Sequence, residues 1–357
     1  MILQILPVGF TSEGFIQFAN KYFKDEFNFI ILKNRRTDKV FHNANKPDNC
    51  LILSSVFELY LNKKARNWVK SSSGIVINWV DGKILLFLAK FLHKTGLLFW
   101  GGDLRLLKNG LHSKHLIVRL LKKLITKYIE KAKYIYTLIP GDYKELCQLC
   151  SPKGSWSIAW IITKDMSEAT FEHLYSNKAY PPRILVGNSS TSTNRHCAAF
   201  DILNKYSDCD LRIYCPLSYG DMRYKEIVLA KGKEVFKSKF FPVTTFMDEE
   251  AYRKFLSTIT AAVFNNDRQQ GMGNIRTLLR LGAKVYLSRD NPAFLDLQKE
   301  GFRIFDIDSI NDLSFQEFIY ADDMLLEENK KVGSFTDLTD KAVRSWNHII
   351  KTMECGK

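Results

Sequence analysis

The stretch Asp267-Arg268-Gln269-Gln270-Gly271-Met272-Gly273-Asn274 is followed by Ile275-Arg276-Thr277-Leu278-Leu279-Arg280-Leu281-Gly282-Ala283. It combines a polar turn that carries two glycines with a helical pattern that ends at a third glycine. Glycines let a ligand approach the backbone closely, and the free N–H groups at a helix start favour a phosphate there. Arg268 adds a fixed positive charge beside that point. The stretch predicts a phosphate-binding turn that leads into a helix.

A second small-residue loop, Gly187-Asn188-Ser189-Ser190, follows the apolar run Arg183-Ile184-Leu185-Val186 in the same half of the chain. Two such loops at strand ends predict a cradle for a nucleoside diphosphate. The alternative for this loop is a tight strand-to-helix turn capped by the Ser/Thr run that ends at Asn194. A plain connection is the alternative for the Arg268 loop, because a lone Gly-x-Gly is weak evidence.

Short apolar runs alternate with helical patterns along the whole chain. The predicted strands of the first half are Met1–Leu6, Phe27–Leu32, Cys50–Leu53, Gly74–Ile77, Leu97–Trp100 and Tyr134–Leu138, and its predicted helices are Gly14–Lys24, Val56–Val69, Lys83–His93 and Ser113–Lys131. The predicted strands of the second half are Ile184–Gly187, Leu211–Cys215, Val235–Phe241, Ala261–Phe264 and Lys284–Leu287, and its predicted helices are Thr193–Tyr206, Met222–Ala230, Asp248–Thr258, Gly273–Leu281 and Pro292–Glu300.

This alternation is typical of a parallel, doubly wound sheet. Residues 164–182 break the pattern and end in a Pro-Pro pair. We therefore predict an α/β protein with two Rossmann-like domains facing a cleft, residues 1–165 and 180–330, and a helix at 335–357 that packs back on the first domain. Because ligands bind at the carboxyl ends of such strands, the nucleotide should lie on the second domain.

The composition is that of a soluble globular protein, with 46% hydrophobic and 25% charged residues. No apolar run reaches the roughly 18 residues that a membrane-spanning helix needs. The N-terminus, Met1 to Pro7, reads as a first strand and not as a signal peptide. The seven cysteines are scattered, which is typical of free thiols in a reducing compartment.

The net charge of +14 lies entirely in the first half of the chain. Residues 1–160 hold 25 Lys/Arg and 11 Asp/Glu, whereas residues 161–357 hold 27 of each. Such asymmetry favours a polyanionic partner for the first half, either an anionic membrane surface or nucleic acid, and simple solubilising charge is the alternative.

The segment Lys114 to Ile129 is apolar along one stripe and basic elsewhere, a pattern typical of a helix that lies on an anionic bilayer. Its alternative is a helix whose leucines face the core and whose lysines are solvated. Lys83 to Leu98 is a second candidate for lipid contact, or a helix buried between strands.

Several blocks of the sequence resemble one family. These blocks are Trp100-Gly101-Gly102-Asp103-Leu104, Ile184-Leu185-Val186-Gly187-Asn188-Ser189, Asn194-x-His196, Arg268-Gln269-Gln270-Gly271-Met272-Gly273 and Arg289-Asp290-Asn291-Pro292. Together they resemble glycosyltransferase family 56, the 4-acetamido-4,6-dideoxygalactose (fucosamine-type) transferases of bacterial surface-glycan assembly, also called the 4-alpha-L-fucosyltransferase family. The resemblance departs at Asn78-Trp79, where the family carries a His-Gly pair.

The resemblance implies a GT-B fold, a nucleotide-diphosphate sugar donor, typically dTDP-linked, and a polyprenyl-diphosphate-linked saccharide acceptor. We expect dTDP or UDP as the carrier. It also implies a peripheral position at the cytoplasmic face of the bacterial inner membrane. We expect no cofactor, no metal and no nucleic-acid partner. The Asp-x-Asp matches at Asp208-Cys209-Asp210 and Asp306-Ile307-Asp308 are common by chance.

The predicted site residues fall into two groups. The donor-binding candidates are Gly187, Asn188, Ser189, His196, Tyr219, Arg268, Gln269, Gln270, Gly271, Met272, Gly273 and Asn274. Asp103 is the candidate base for the acceptor hydroxyl, with a helix cap or an Asx turn as its alternative. The alternatives for His196 and Tyr219 are a helix-surface histidine and a surface tyrosine.

We predict a metal-independent glycosyltransferase that moves a deoxy-amino-sugar to a lipid-linked saccharide. Two other functions stay open at this point. One is a nucleic-acid-binding protein that uses the basic half, although that half shows no nucleic-acid motif. The other is a nucleotide-sugar epimerase of the same fold, which would act on the donor without any acceptor.

Overall fold

A computed structural model of the chain describes residues 1–33, 47–161, 174, 178–332 and 335–355. The chain divides into two compact units. Unit 1 is Met1–Met166 with Leu338–Lys357, and unit 2 is Ser167–Asp337. The segment expected to separate them, 164–182, lies mostly outside the described residues, as do residues 356–357. Among the described residues, no helix is both long and apolar enough to span a membrane.

Unit 1 contains a seven-stranded parallel sheet in the order β3-β2-β1-β4-β5-β6-β7. Its strands are β1 (Ile2–Pro7), β2 (Phe27–Leu32), β3 (Cys50–Leu53), β4 (Gly74–Asn78), β5 (Thr95–Phe99), β6 (Tyr134–Thr137) and β7 (Ser155–Ile158). The central strands bury side chains on both faces, which is why they read as continuous apolar runs. In β1, Leu3 and Ile5 face one core while Ile2 and Leu6 face the other.

The helices of unit 1 cover both faces of this sheet. They are α1 (Phe10–Tyr22), α2 (Glu58–Leu61), α3 (Lys63–Ser71), α4 (Gly82–Phe87), α5 (Gly102–Leu111), α6 (Leu116–Lys131), α7 (Pro140–Leu149) and, from the end of the chain, α15 (Phe335–Cys355). A 3-10 segment, Ala89–Lys94, precedes β5. The predicted helices Val56–Val69 and Lys83–His93 are therefore each split in two, and α5 was not predicted.

Unit 2 contains a six-stranded parallel sheet in the order β10-β9-β8-β11-β12-β13. Its strands are β8 (Arg183–Val186), β9 (Arg212–Pro216), β10 (Phe240–Val243), β11 (Ala261–Phe264), β12 (Lys284–Leu287) and β13 (Phe305–Asp306). Its helices are α8 (His196–Leu203), α9 (Met222–Phe236), α10 (Glu249–Ser257), α11 (Met272–Arg280), α12 (Ala293–Lys299), α13 (Phe315–Ile319) and α14 (Asp323–Val332).

The predicted strand Val235–Phe241 is wrong over most of its length. Val228, Gly232 and Phe236 are buried at a spacing of four residues, so the helical period continues to the end of α9. A 3-10 turn, Lys237–Lys239, follows, and the strand itself starts only at Phe240.

The C-terminal helix α15 completes one of the two cores of unit 1. Trp346 is fully buried, and its Nε1 donates a hydrogen bond to the Trp160 carbonyl at 2.8 Å. Its ring lies 4.8 Å from the ring of Phe15 and 5.7 Å from that of Phe27, measured between centroids. One aromatic side chain thus connects the end of the chain to its first helix and second strand.

We expect Trp346→Ala to lower the free energy of unfolding of unit 1 by about 3 to 5 kcal/mol, because it removes a fully buried aromatic side chain. All six tryptophans of the chain lie in unit 1, so urea unfolding followed by tryptophan fluorescence reports on this unit alone. His348→Ala, an exposed position on the same helix, is the control and should shift the midpoint little. Equal midpoints for the two variants would contradict the expectation.

Candidate donor site

The two predicted loops lie at the same edge of the unit 2 sheet. After β8 the chain builds β9 and β10 on one side, and it then returns to add β11, β12 and β13 on the other. β8 and β11 are therefore neighbours at the point where the strand order reverses. Loops that leave the carboxyl ends of two such strands form the ligand crevice of doubly wound sheets.

The first loop begins at Gly187, whose φ of +68° favours glycine. A Cβ at this position would collide with Nε2 of His196 and would lie 3.1 Å from Oδ1 of Asn194. Asn194 holds the loop, since its Oδ1 accepts the Asn188 N–H at 3.2 Å and its Nδ2 donates to the Ser189 carbonyl at 2.8 Å. The Asn194 side chain therefore stabilises the turn, although no side-chain hydrogen bond caps the start of α8 at Arg195.

The second loop reaches the first through the side chain of Gln270. Its Nε2 donates to Oδ1 of Asn188 at 3.1 Å, and its Oε1 accepts from the Thr193 hydroxyl at 2.6 Å. Gly271 adopts a φ of +66°, and a Cβ there would lie 3.0 Å from Cγ of Asn188. The structure thus brings together the two loops that lie 83 residues apart between Asn188 and Gly271.

Helix α11 begins at Met272, directly after this contact. Its N-cap, Gly271, offers no side-chain hydrogen bond, and its first turn holds no acidic residue. The first helical hydrogen bond runs from Ile275 to the Gly271 carbonyl at 3.0 Å. Gly273 is exposed, and a Cβ there would meet no atom within 4 Å. The first turn of α11, with its N–H groups and the positive end of the helix dipole, therefore lies beside an exposed glycine, an arrangement that favours an anion.

Arg268 is half-buried and is held on its own loop. Its Nε donates to the Thr193 hydroxyl at 3.3 Å, and its Nη1 donates to the Gln269 carbonyl at 3.2 Å. Nδ2 of Asn291 donates to the Arg268 carbonyl at 2.9 Å. The predicted guanidinium thus lies among the loop residues, with its charge fixed in place by hydrogen bonds.

Two more predicted residues border the loops. Tyr219 is 55% exposed, and its hydroxyl accepts a hydrogen bond from Nδ2 of Asn188 at 3.4 Å. Nδ2 of Asn274, in the first turn of α11, donates to the Tyr252 hydroxyl at 2.9 Å. Gln269 and Ser189 are 7% and 3% exposed, so their side chains are buried within the loops. Direct contacts of these residues with a diphosphate stay a prediction.

Arg195 is a site residue that sequence reasoning missed. It has a left-handed φ of +49°, and its Nε donates to the Asn265 carbonyl at 2.7 Å. Its Nη2 donates to the Ser288 hydroxyl at 3.0 Å, and its Nη1 pairs with Asp290 at 3.2 Å. One guanidinium thus joins the ends of β11 and β12 to the start of α8. Its only signal in the sequence is its place between Asn194 and His196.

His196 lies beneath the first loop and is not at the helix surface, so the surface alternative is wrong. The residue is fully buried, and its Nδ1 lies 3.3 Å from the Tyr224 hydroxyl, which also accepts the His196 backbone N–H at 3.1 Å. Burial lowers the pKa of the imidazole to about 4, so the ring is neutral at pH 7. The ring fills the space that Gly187 leaves open, and its contact with a ligand stays a prediction.

Asp103, the predicted base, lies in unit 1 in the first turn of α5 and is 4% exposed. Its Oδ1 accepts the N–H groups of Trp100 and Leu104 at 2.9 and 3.0 Å, and its Oδ2 accepts that of Val80 at 2.9 Å. Burial raises the pKa of the carboxyl to about 6, even though these hydrogen bonds lower it. Asp103 thus joins the ends of β4 and β5, and the base role stays a prediction.

The carboxylate of Asp306, in the second Asp-x-Asp match, is engaged in local contacts. Asp306 accepts the Asp308 N–H at 3.2 Å at the start of a 3-10 segment and pairs with Arg289. Across the described ranges, no group of three His, Cys, Asp or Glu side chains is placed to hold a metal ion.

Solved structures share this architecture over nearly the whole chain. A glycosyltransferase from Rickettsia africae superposes with a TM-score of 0.65 at 12% identity, covering 99% of this chain and 98% of its own. Sucrose-phosphate synthase from Thermosynechococcus elongatus gives 0.64 at 10% identity over 99% and 97%. A UDP-forming trehalose-phosphate synthase from Burkholderia xenovorans gives 0.62 at 8% identity over 99% and 100%. The predicted fold class is confirmed as α/β of the GT-B type.

The chain is a glycosyltransferase by family. It belongs to glycosyl transferase group 56, the 4-alpha-L-fucosyltransferase family, whose model matches residues 85–354. The family resemblance predicted from the sequence is confirmed. Membership in a transferase family favours sugar transfer over the epimerase and nucleic-acid-binding alternatives.

The depressed pKa of His196 predicts a pH-dependent stability of unit 2. The unfolded chain takes up a proton on this ring below pH 6.5, and the folded protein does so only near pH 4. The contribution of the neutral His196 ring to the free energy of unfolding is therefore fully present above pH 6.5. About 3 kcal/mol of this contribution is lost as the pH falls to 4.

Hydrogen exchange of the β8 and β11 amides at pH 7 and pH 5 measures this contribution. His196→Gln should be less stable than the wild type at pH 7, and the gap should narrow at pH 5. His348→Gln, in unit 1, is the control and should leave exchange in unit 2 unchanged. The same gap at both pH values would refute the buried neutral histidine.

Proposed function

We propose that this glycosyltransferase moves a deoxy-amino-sugar of fucosamine type from a nucleoside-diphosphate carrier to a polyprenyl-diphosphate-linked saccharide. It would work without a bound metal in bacterial surface-glycan synthesis, as a peripheral protein at the cytoplasmic face of the inner membrane. The observation that carries the donor half is the contact of Gln270 with Asn188 in front of the open start of α11. The acceptor half rests on the family.

The donor diphosphate would lie at the first turn of α11. Its oxygens would accept hydrogen bonds from the N–H groups of Met272 and Gly273 and face the Arg268 guanidinium. As the acceptor hydroxyl attacks the anomeric carbon, the bond to the diphosphate oxygen breaks and negative charge grows on the leaving nucleoside diphosphate. Fixed amides and a guanidinium stabilise that charge, which is the largest catalytic contribution that these residues can make.

The nucleoside of the donor is thymidine or uridine in this proposal. The family resemblance favours a dTDP-linked donor, and the structural neighbours include synthases described as UDP-forming. The exposed Tyr219 ring, next to Asn188, would flank the base or the sugar. Titration with UDP and dTDP separately decides between the two carriers.

Gly273→Glu tests the diphosphate position without harming the fold. A carboxylate in the first turn of a helix is favourable, and the new side chain enters open space, so the melting temperature should not fall. The same carboxylate should repel a diphosphate. Calorimetric titration should show UDP or dTDP binding weakened roughly tenfold or more relative to Gly273→Gln, which has the same shape and no charge.

Arg268→Ala should weaken nucleotide binding by a similar factor, since it removes a charge-assisted contact. Because Arg268 also bonds to Thr193, hydrogen exchange of the loop must show that it stays ordered. Wild-type nucleotide affinity in both Gly273→Glu and Arg268→Ala would remove the diphosphate from this position.

The proposed base, Asp103, would accept the proton of the acceptor hydroxyl when it is ionised. With a pKa of about 6, turnover should rise with pH through that value. Asp103→Asn should lose this rise of turnover with pH, together with most of its turnover. It should bind nucleotide as the wild type does. Asp103 has a structural role alone if the Asn variant keeps the rise of turnover with pH and only loses stability in unit 1, measured by tryptophan fluorescence.

A further inference from the structure

Helix α6 packs against unit 1 along one face only. Thr126 and Ile129 are buried, and Ile125 and Tyr128 pack against the adjoining core. These four side chains lie on neighbouring turns of the same face, as the helical period requires. This face alone accounts for the attachment of α6 to its unit.

The first half of α6 carries a further set of apolar side chains, and these are exposed. Its side chains and their exposed fractions are Leu116 58%, Ile117 74%, Leu120 56%, Leu121 56% and Leu124 42%. Spacings of three and four residues place them on one stripe over the first two and a half turns. An apolar stripe on a helix is normally covered by another part of a protein. In the part of the chain that the structure describes, nothing covers this stripe.

The same stripe turns basic toward the end of the helix. Lys123, Lys127 and Lys131 continue it at three- and four-residue spacing. Lys127 and Lys131 also line an open cavity of about 740 Å³ at the end of α6, together with His93, Glu130, Ala132, Lys133, Lys153 and Gly154. The single carboxylate among them, Glu130, accepts the Ser151 N–H at 3.1 Å. The cavity is thus strongly positive beside an exposed apolar surface.

We propose that this face of α6 docks on an anionic lipid bilayer. Its leucines and isoleucine would enter the acyl boundary, and the lysines around the cavity would bind lipid phosphates. The charge complementarity is specific to unit 1, because residues 1–160 carry the whole +14 excess of the chain. The choice of a membrane as partner rests on the proposed lipid-linked acceptor, which would be presented at the same surface.

A second copy of the chain fits this surface less well than lipid does. In a two-fold pair both copies bring the same lysines to one interface. Like charges at close range oppose such pairing, whereas an anionic surface neutralises all of them. Self-association is therefore an outcome that the experiment must be able to show.

Cosedimentation of the full chain with phosphatidylcholine vesicles, with and without phosphatidylglycerol, tests the proposal. The wild type should bind the anionic vesicles at least roughly tenfold more tightly than the neutral ones and be released by high salt. A triple variant, Ile117→Ser, Leu120→Ser and Leu121→Ser, should bind the anionic vesicles at least roughly tenfold more weakly. Lys123→Gln with Lys127→Gln and Lys131→Gln should lose the preference for anionic vesicles.

The matched control changes three exposed apolar residues of unit 2, which carries none of the positive excess of the chain. Met222→Ser, Ile227→Ser and Leu295→Ser remove side chains that are 65%, 56% and 57% exposed, and vesicle binding should stay at the wild-type level. Unchanged binding in both α6 variants would overturn the proposal. A dimer in sedimentation velocity that the Ile117 triple variant dissociates would also overturn it, in favour of self-association.

Nucleotide titration of the same proteins separates this inference from the proposed function. The α6 variants should bind UDP or dTDP as the wild type does, since they lie in the other unit. Vesicle binding without any nucleotide binding would refute the donor site and leave the docking face standing. Nucleotide binding without vesicle binding would refute the docking face and leave the donor site standing.

Discussion

The side-chain amide of Gln270 holds the two loops of the candidate donor site together. It is 7% exposed, and both of its ends are engaged, with Asn188 on one loop and Thr193 before α8. A buried amide with unpaired ends is costly, so this residue fixes one spacing between the loops. The spacing is available because β8 and β11 are adjacent parallel strands whose ends share one edge. The position of the α11 dipole relative to Gly187 follows from these two facts.

The sequence was sufficient for the parts of the fold that depend on local pattern and on general rules for α/β proteins. Buried parallel strands read as apolar runs. Glycines that follow a strand, such as Gly187 and Gly271, can be recognised in the sequence, and both adopt a positive φ. That their loops meet could be expected, because both follow strands of one sheet. The family resemblance rested on these same loops.

Side-chain orientation could not be predicted in the same way. Val235 and Phe236 suit either a strand or a helix. Only the burial of Phe236 on the same helix face as Val228 and Gly232 decides between the two. Arg195 connects strand ends that are far apart in sequence, so no local pattern marks it. His196 and Asp103 were singled out for ligand chemistry, yet the structure buries both beneath turns that they stabilise. A titratable residue next to a glycine loop supports the loop as readily as it serves the reaction.

The packing of α15 on unit 1 has a consequence for how the chain folds during synthesis. Domains generally fold in the order in which they leave the ribosome. Here Trp346, which closes the core around Phe15 and Phe27, is translated only after all of unit 2. The earlier-made unit therefore finishes last, and its apolar sheet face needs protection from aggregation until Trp346 has been translated.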